Sequence, residues 1–214
     1  MRAVVVAGSS LTAELETAEL AAADLLVAVD GGAEALAKVG LVPALLVGDM
    51  DSVSTRTREA LETQGVEVVL LPTAKDETDT EAALHLVVGR GADEVTIYGA
   101  LGGPRLDHLV GNLLLLAAPW LAGIGVRMVD ERHEAFLVQG DVVLGGECDD
   151  IVSLLPLTPE VKDVRTQGLL YPLVGESLFQ SATRGVSNAM TGAEARVTHG
   201  DGILLLIHYR GRQT

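Results

Sequence analysis

Short apolar runs alternate with amphipathic stretches through the first 130 residues. The runs at 3–7 (AVVVA), 25–29 (LLVAV), 45–47, 66–71, 94–98 and 126–129 are too short for helices. They are also too continuously apolar for strands with one wet face, so they predict strands covered on both sides. Between them, residues 12–22, 33–39, 55–64, 79–88 and 109–117 have the composition and length of helices. Gly40 with Pro43, Gly65, and Gly89 with Gly91 stand where helix stops are needed. Strand and helix in alternation predict an α/β domain: a Rossmann-like parallel sheet with helices on both faces.

After residue 130 the pattern changes. Strand-like runs recur at 135–138, 142–144, 151–155, 164–166, 193–197 and 203–208. Turn signals separate them, including Gly145-Gly146, Leu157-Thr158-Pro159 and His199-Gly200-Asp201-Gly202. No helical period persists, which predicts an all-β sandwich. The expected division is an α/β domain over 1–130 and a β-sandwich over 131–214.

Composition narrows the partners. Thirty acidic side chains against fifteen Lys and Arg give a formal charge of −15, with no basic run. A phosphate backbone or an anionic membrane surface needs a basic patch, so neither is an expected partner. Cys148 is the single cysteine, which excludes a disulfide framework and a thiolate metal site. The start has too short an apolar run for a signal peptide and meets Glu14 and Glu16 early, so a cytoplasmic location is expected. Residues 109–126 approach membrane length, but Asn112, Pro119 and three glycines interrupt them.

The candidate chemistry lies where the strand runs end. Asp30 closes the second run, Asp49 and Asp51 the third, and Asp76 and Asp79 follow the fourth. Arg105-Leu106-Asp107-His108 follows the fifth. In an open parallel sheet the ligand crevice lies outside the carboxyl ends of the strands, so these clusters are expected on one rim. Crowded carboxylates repel unless a cation sits among them, and hard oxygen ligands at a phosphate site point to Mg²⁺.

Each cluster also has a plainer reading. In Gly48-Asp49-Met50-Asp51-Ser52, alternate residues of an extended chain reach one cation, or Asp51 or Ser52 caps the next helix. Thr78-Asp79-Thr80-Glu81 is a capping box, yet Lys75, Asp76 and Asp79 share its loop beside a helix start that favours phosphate. The loop 99–103 (GALGG) matches neither the P-loop nor the dinucleotide fingerprint. Arg105 offers a fork for a phosphate oxygen, while Asp107 reads equally as a cap. His85, His133 and His208 show no ligand spacing and read as surface or core residues.

Taken in order, DGGA, GDMDS, KDETDTEAAL, GALGGPRLDHLVGN, GLLYPL and Ser187-Asn188 of SNAM resemble the thiamine pyrophosphokinase (thiamine diphosphokinase) family over nearly the whole chain. The resemblance implies an α/β catalytic domain followed by a thiamine-binding and dimerising β-sandwich. It implies Mg²⁺-dependent homodimers that move the pyrophosphoryl group of ATP to the thiamine hydroxyl and release AMP. It makes Asp49, Asp51 and Asp79 the metal and phosphate centre. Thr78, Arg105 and Asp107 would hold the polyphosphate, with Asp30, Lys75, Asp76 and His108 beside the nucleotide. Ser187 and Asn188 match the segment near the thiamine pocket. Pro104 departs from the pattern, in which many relatives pass directly from Gly-Gly to Arg, and this leaves the reach of Arg105 open. Three rivals share the acidic rim: a pyrophosphokinase acting on a pterin alcohol, a glycosyltransferase using D-x-D, and a nucleotide sensor without turnover. The β-rich second half favours the thiamine enzyme over the glycosyltransferase. Which carboxylate accepts the hydroxyl proton stays open in the sequence.

Overall fold

The computed structural model describes residues 1–8 and 17–211. Residues 12–16 of the first expected helix therefore lie outside the described residues. The chain divides into two compact units, Met1–Glu131 and Arg132–Thr214.

In the first unit, strands β1 (Arg2–Ala7), β2 (Leu25–Val29), β3 (Leu45–Gly48), β4 (Glu67–Leu70), β5 (Glu94–Tyr98) and β6 (Gly125–Val129) run in the order β6-β5-β1-β2-β3-β4. Every neighbouring pair is parallel. Helices α1 (Thr17–Ala21), α2 (Gly32–Lys38), α3 (Thr55–Thr63), α4 (Asp79–Gly89) and α5 (Leu106–Leu115) connect them, with a short 3-10 turn at Pro119–Leu121. Alternate side chains of a strand face opposite sides of the sheet. Val4, Val6, Leu26, Ala28 and Leu46 form one core with Leu20 of α1, Ala33, Ala35 and Leu36 of α2, and Leu61 of α3. Val5, Val27, Leu45, Val47 and Ile97 are equally buried on the other side. There α4, which contributes nothing to the first core, packs on β1, β2 and β3. Over β1, β2 and β3 both faces are covered, which is why these strands read as continuous apolar runs, while the edge strand β4 is only partly buried.

Local chemistry sets the helix starts. Ser54 caps α3 by accepting from Thr57 N at 3.2 Å, so the capping expected of Asp51 or Ser52 falls two or three residues later. Thr78 caps α4 by accepting from Glu81 N at 3.1 Å, as its sequence predicts. The helix expected at 109–117 begins instead at Leu106, and residues 106–108 are its first turn. The N-cap is Arg105, not Asp107; Asp107 is an acid in the first turn, where the helix dipole favours it. Among the described residues, no helix is long and apolar enough to cross a membrane.

The second unit contains β7 (His133–Leu137), β8 (Val142–Gly145), β9 (Ile151–Pro156), β10 (Glu160–Gln167), β11 (Val174–Phe179), β12 (Asn188–Ala189), β13 (Glu194–Thr198) and β14 (Leu204–Tyr209). They form two antiparallel layers, β12-β9-β14-β7 and β11-β10-β13-β8. Val152, Leu154, Leu204 and Leu206 of one layer share a core with Val161, Val164, Leu178, Ala195 and Val197 of the other. This is the expected sandwich with two strands added. β10 is longer than the run at 164–166 because its register shifts between Val161 and Val164, with Asp163 at φ +49°. β11 is an edge strand that buries Leu178 alone, so it lacks the alternation that would reveal it.

His208 of β14 is fully buried, with Nε2 3.0 Å from Asp150 Oδ2. Asp150 also accepts from Glu147 N at 2.9 Å and Gly211 N at 3.0 Å. His208 is thus a core residue, one of the two readings its sequence allowed.

Candidate active site

The strand order reverses direction at β1, whose neighbours β2 and β5 leave by different routes. Crevices form at such switch points, beyond the carboxyl ends of the strands. A cleft of about 570 Å³ lies there, lined by the residues that follow β1 (Gly8), β2 (Asp30, Gly31), β3 (Asp49, Asp51, Ser52), β4 (Thr73, Lys75, Glu77, Thr78, Asp79) and β5 (Arg105, His108, Asn112).

Asp30 stands at the centre of the acidic group. One oxygen each from Asp30, Asp49 and Asp51 lies within 4.8 Å of the others. The backbone is shaped to hold them together. Asp30 and Met50 adopt φ of +41° and +67°, unusual for non-glycine residues and costly in isolation. Asp30 N donates to Val47 O at 2.9 Å, and Asp30 Oδ1 accepts from Met50 N at 3.1 Å. These bonds tie the loop after β2 to the loop after β3. Asp49 Oδ1 accepts from Asp51 N at 3.2 Å, which tightens the turn between the paired carboxylates. Burial, and next the charge of Asp79, push the Asp30 carboxyl up to about 6; Asp49 and Asp51 add to the rise, and the Met50 N–H opposes it.

The cations sit around this group. Lys75 Nζ lies 3.0 Å from Asp79 Oδ1 and donates to Pro72 O at 3.1 Å. Desolvation works against the Lys75 ammonium, yet Asp79, Asp49 and Asp30 together hold its pKa above the ordinary value. Arg105 lines the cleft and pairs with Asp107 through Nε to Oδ1 at 3.1 Å and a second contact from Nη2 to Oδ2. The Arg105 hydrogen bond draws the Asp107 carboxyl down to about 2. Asn112 Nδ2 donates to Ala100 O at 2.9 Å and fastens α5 to the glycine-rich loop.

The structure therefore gathers Asp30, Asp49, Asp51, Lys75, Thr78, Asp79, Arg105 and His108 into one cleft. It groups Asp49 and Asp51 with Asp30 as possible metal ligands, while the Asp79 carboxyl is engaged by Lys75. Asp76 is exposed and does not line the cleft, and Asp107 reaches it only through Arg105. Gly8, Ser52, Thr73, Glu77 and Asn112 line it without having been expected. Their place after a strand was visible in the sequence, but small and polar residues there carry no chemistry that singles them out.

Ser187 and Asn188 belong to the second unit. Ser187 is exposed at φ +59°, with its N–H donating to Ser153 Oγ at 3.0 Å. Asn188 is buried, and its amide serves the backbone: Oδ1 accepts from Tyr171 N and Ala189 N at 3.0 Å, and Nδ2 donates to Tyr171 O at 2.7 Å. It clamps the chain at Tyr171 and has little left to offer a ligand.

The pattern for the catalytic domain of thiamin pyrophosphokinase matches residues 17–128, and that for its vitamin B1 binding domain matches residues 142–204. A thiamine pyrophosphokinase of Bacillus subtilis is 27% identical over 185 residues, 86% of this chain and 86% of its own. A crystal structure of a thiamin pyrophosphokinase family protein from Enterococcus faecalis is 28% identical with a TM-score of 0.85, covering 99% of this chain and 100% of that one. That of the thiamine pyrophosphokinase from Bacillus subtilis shares the fold with a TM-score of 0.87 at 24% identity, over 98% and 99% of the two chains. With residues 17–128 matched by the catalytic pattern, residues 142–204 by the vitamin B1 binding pattern, and the acidic rim in place, the chain belongs to the thiamin pyrophosphokinase family.

Proposed function

We propose that the protein transfers the pyrophosphoryl group of ATP to the hydroxyl of thiamine, giving thiamine diphosphate and AMP, as a cytoplasmic Mg²⁺-dependent homodimer. The observation that carries this reading is the convergence of three carboxylates and two cationic side chains on one cleft at the strand ends. A donor set of hard carboxylate oxygens fits Mg²⁺. The three carboxylates are in no ion pair among the described residues, and the Asp30 pKa is already lifted, by burial first, then by the charge of Asp79, with Asp49 and Asp51 adding to it. Asp49 and Asp51 would hold the ion, with Asp30 as the third carboxylate. When bound, Mg²⁺ supplies Lewis-acid polarisation and a template for phosphate oxygens.

The chain's own part is alignment and charge. Pyrophosphoryl transfer asks for little covalent chemistry from the protein and for much neutralisation and positioning. Lys75 and Arg105 offer positive charge on two sides of the cleft, and the capped start of α4 directs backbone N–H groups toward it. The Arg105 fork is held by Asp107, so it is pre-set in direction before an anion arrives. The thiamine side of the reaction is assigned to the second unit on the family's vitamin B1 binding pattern. In that unit Ser187 is available to a ligand, while Asn188 shapes the segment.

The test is incubation with Mg-ATP and thiamine, with products resolved by mass. Thiamine diphosphate and AMP are expected. ADP with thiamine monophosphate would overturn the pyrophosphoryl assignment, preference for a pterin alcohol would reassign the acceptor, and binding without turnover would leave a sensor. Light scattering at twice the 22.3 kDa chain mass checks the dimer.

A further inference from the structure

A second set of groups able to ligate a metal lies on and just before α4, apart from the Asp30 cluster. Glu81 and His85 stand four apart on α4 and project from one face of the helix, and Glu77 stands just before its cap. One ligand atom from each lies within 4.8 Å of the others. Two donors on a tetrahedral Zn²⁺ stand about 3.3 Å apart when each is about 2.0–2.1 Å from the ion, so small side-chain rotations close the set. Neither carboxylate is paired with a Lys or Arg among the described residues.

The imidazole distinguishes this set from a solvated acidic face. His85 is exposed, yet its ring stacks on Trp120 with centroids 3.8 Å apart and planes at 24°. The stack restrains the ring before any ion arrives, which lowers the entropy lost on ligation. One nitrogen and two carboxylate donors also suit a different class of ion from the all-carboxylate Asp30 group. Imidazole selects borderline transition ions, whereas hard oxygen sets take Mg²⁺. Three protein ligands on an exposed face leave a fourth position to water, as in open zinc sites.

The geometry points to a second, transition-metal site of the Zn²⁺ class formed by Glu77, Glu81 and His85 at the lip of the cleft. Glu77 also lines the cleft, so an ion there would fix the position of the segment that carries Lys75 and Thr78. The site does not depend on the proposed reaction.

Trp120 is the only tryptophan of the chain and lies against the proposed ligand, so its fluorescence reports the site. Co²⁺ alone is the probe, titrated into the full chain with Mg²⁺ in excess to occupy the Asp30 group. Equilibrium dialysis against Zn²⁺, with metal counted by elemental analysis, is run in parallel. Saturable quenching by Co²⁺, reversed by Zn²⁺, and uptake of one Zn²⁺ per chain are expected. His85→Gln and Glu81→Gln should each weaken half-saturation about tenfold or more, the least seen on removing even an outer partner of a metal ligand. Asp49→Asn should leave it unchanged. Both glutamine variants alter exposed or half-exposed positions, and circular dichroism checks their fold. Absence of saturable uptake, or uptake unaltered in both variants, would show that this is a solvated helix face and overturn the proposal.

Discussion

Gly48 leaves the space that the Asp30 carboxylate occupies: a Cβ built on Gly48 would lie 1.9 Å from Asp30 Oδ1 and 2.4 Å from its Cγ. Gly48 ends β3 at φ +148°, a conformation that L side chains rarely adopt. The bare backbone at this position lets the loop after β2 lie against the loop after β3. Gly48→Ala should therefore displace Asp30 and strain the backbone, at a cost of about 1–3 kcal/mol. The expected outcome is a lowered melting temperature together with a large loss of turnover. Wild-type activity with an unshifted melt would show that the two loops move apart freely.

Asp49→Asn and Asp51→Asn should leave the fold intact, because both side chains sit on an exposed or half-exposed loop. Each removes a charged oxygen where Mg²⁺ is proposed. Losing about 3–4 kcal/mol of transition-state stabilisation corresponds to a rate reduced by roughly 10² to 10³. Steady-state kinetics across a Mg²⁺ series measures this. Full activity in both variants at ordinary Mg²⁺ would reduce the pair to turn chemistry.

The Asp30 carboxyl carries a pH signature. Its pKa is 3.8 in the unfolded chain and about 6 in the fold, so the folded state binds the proton more tightly. Stability from this group is fully present below about pH 4 and is lost as pH rises through about 6. In metal-free buffer, Asp30→Asn should melt above wild type at neutral pH and lose that advantage toward pH 4. Mg²⁺ should raise the neutral-pH melt of wild type more than that of the variant. Parallel melting curves at every pH would remove the crowding argument.

Asn188→Ala tests whether Asn188 acts on a ligand or on the chain. Its amide makes three hydrogen bonds to the backbone of Tyr171 and Ala189 while buried. Truncation leaves buried backbone groups unpaired and should cost about 1–3 kcal/mol in chemical denaturation. A variant as stable as wild type, but with a raised KM for thiamine, would instead place Asn188 in the pocket.

Much of the architecture was written in one-dimensional pattern. The run LLVAV at β2 matches its strand residue for residue, because burial on both faces leaves no polar position to blur the ends, and at β5 the four buried residues after the exposed Glu94 do the same. Thr78 and Glu81 marked the start of α4 because capping is chemistry within one turn of helix. β11 stayed hidden because an edge strand buries one residue and leaves the rest to solvent, and the bulge at Asp163 broke the period of β10. The start of α5 was read late because Arg105 and Asp107, a surface ion pair, look like loop chemistry in a linear text.

The sequence by itself determined which residue types stand at the strand ends, since carboxylates, lysine and arginine there follow directly from the order of runs and breaks. Which carboxylates share an ion-sized space was decided by tertiary structure. Asp30 lies nineteen positions before Asp49, yet the parallel pairing of β2 with β3 and the missing side chain of Gly48 set them together. Asp79 is drawn to Lys75 by a contact that spans four residues of a helix start and a loop. Sequence spacing records neither the depth of a cleft nor the cost of crowding charge, because both arise only when separate loops meet.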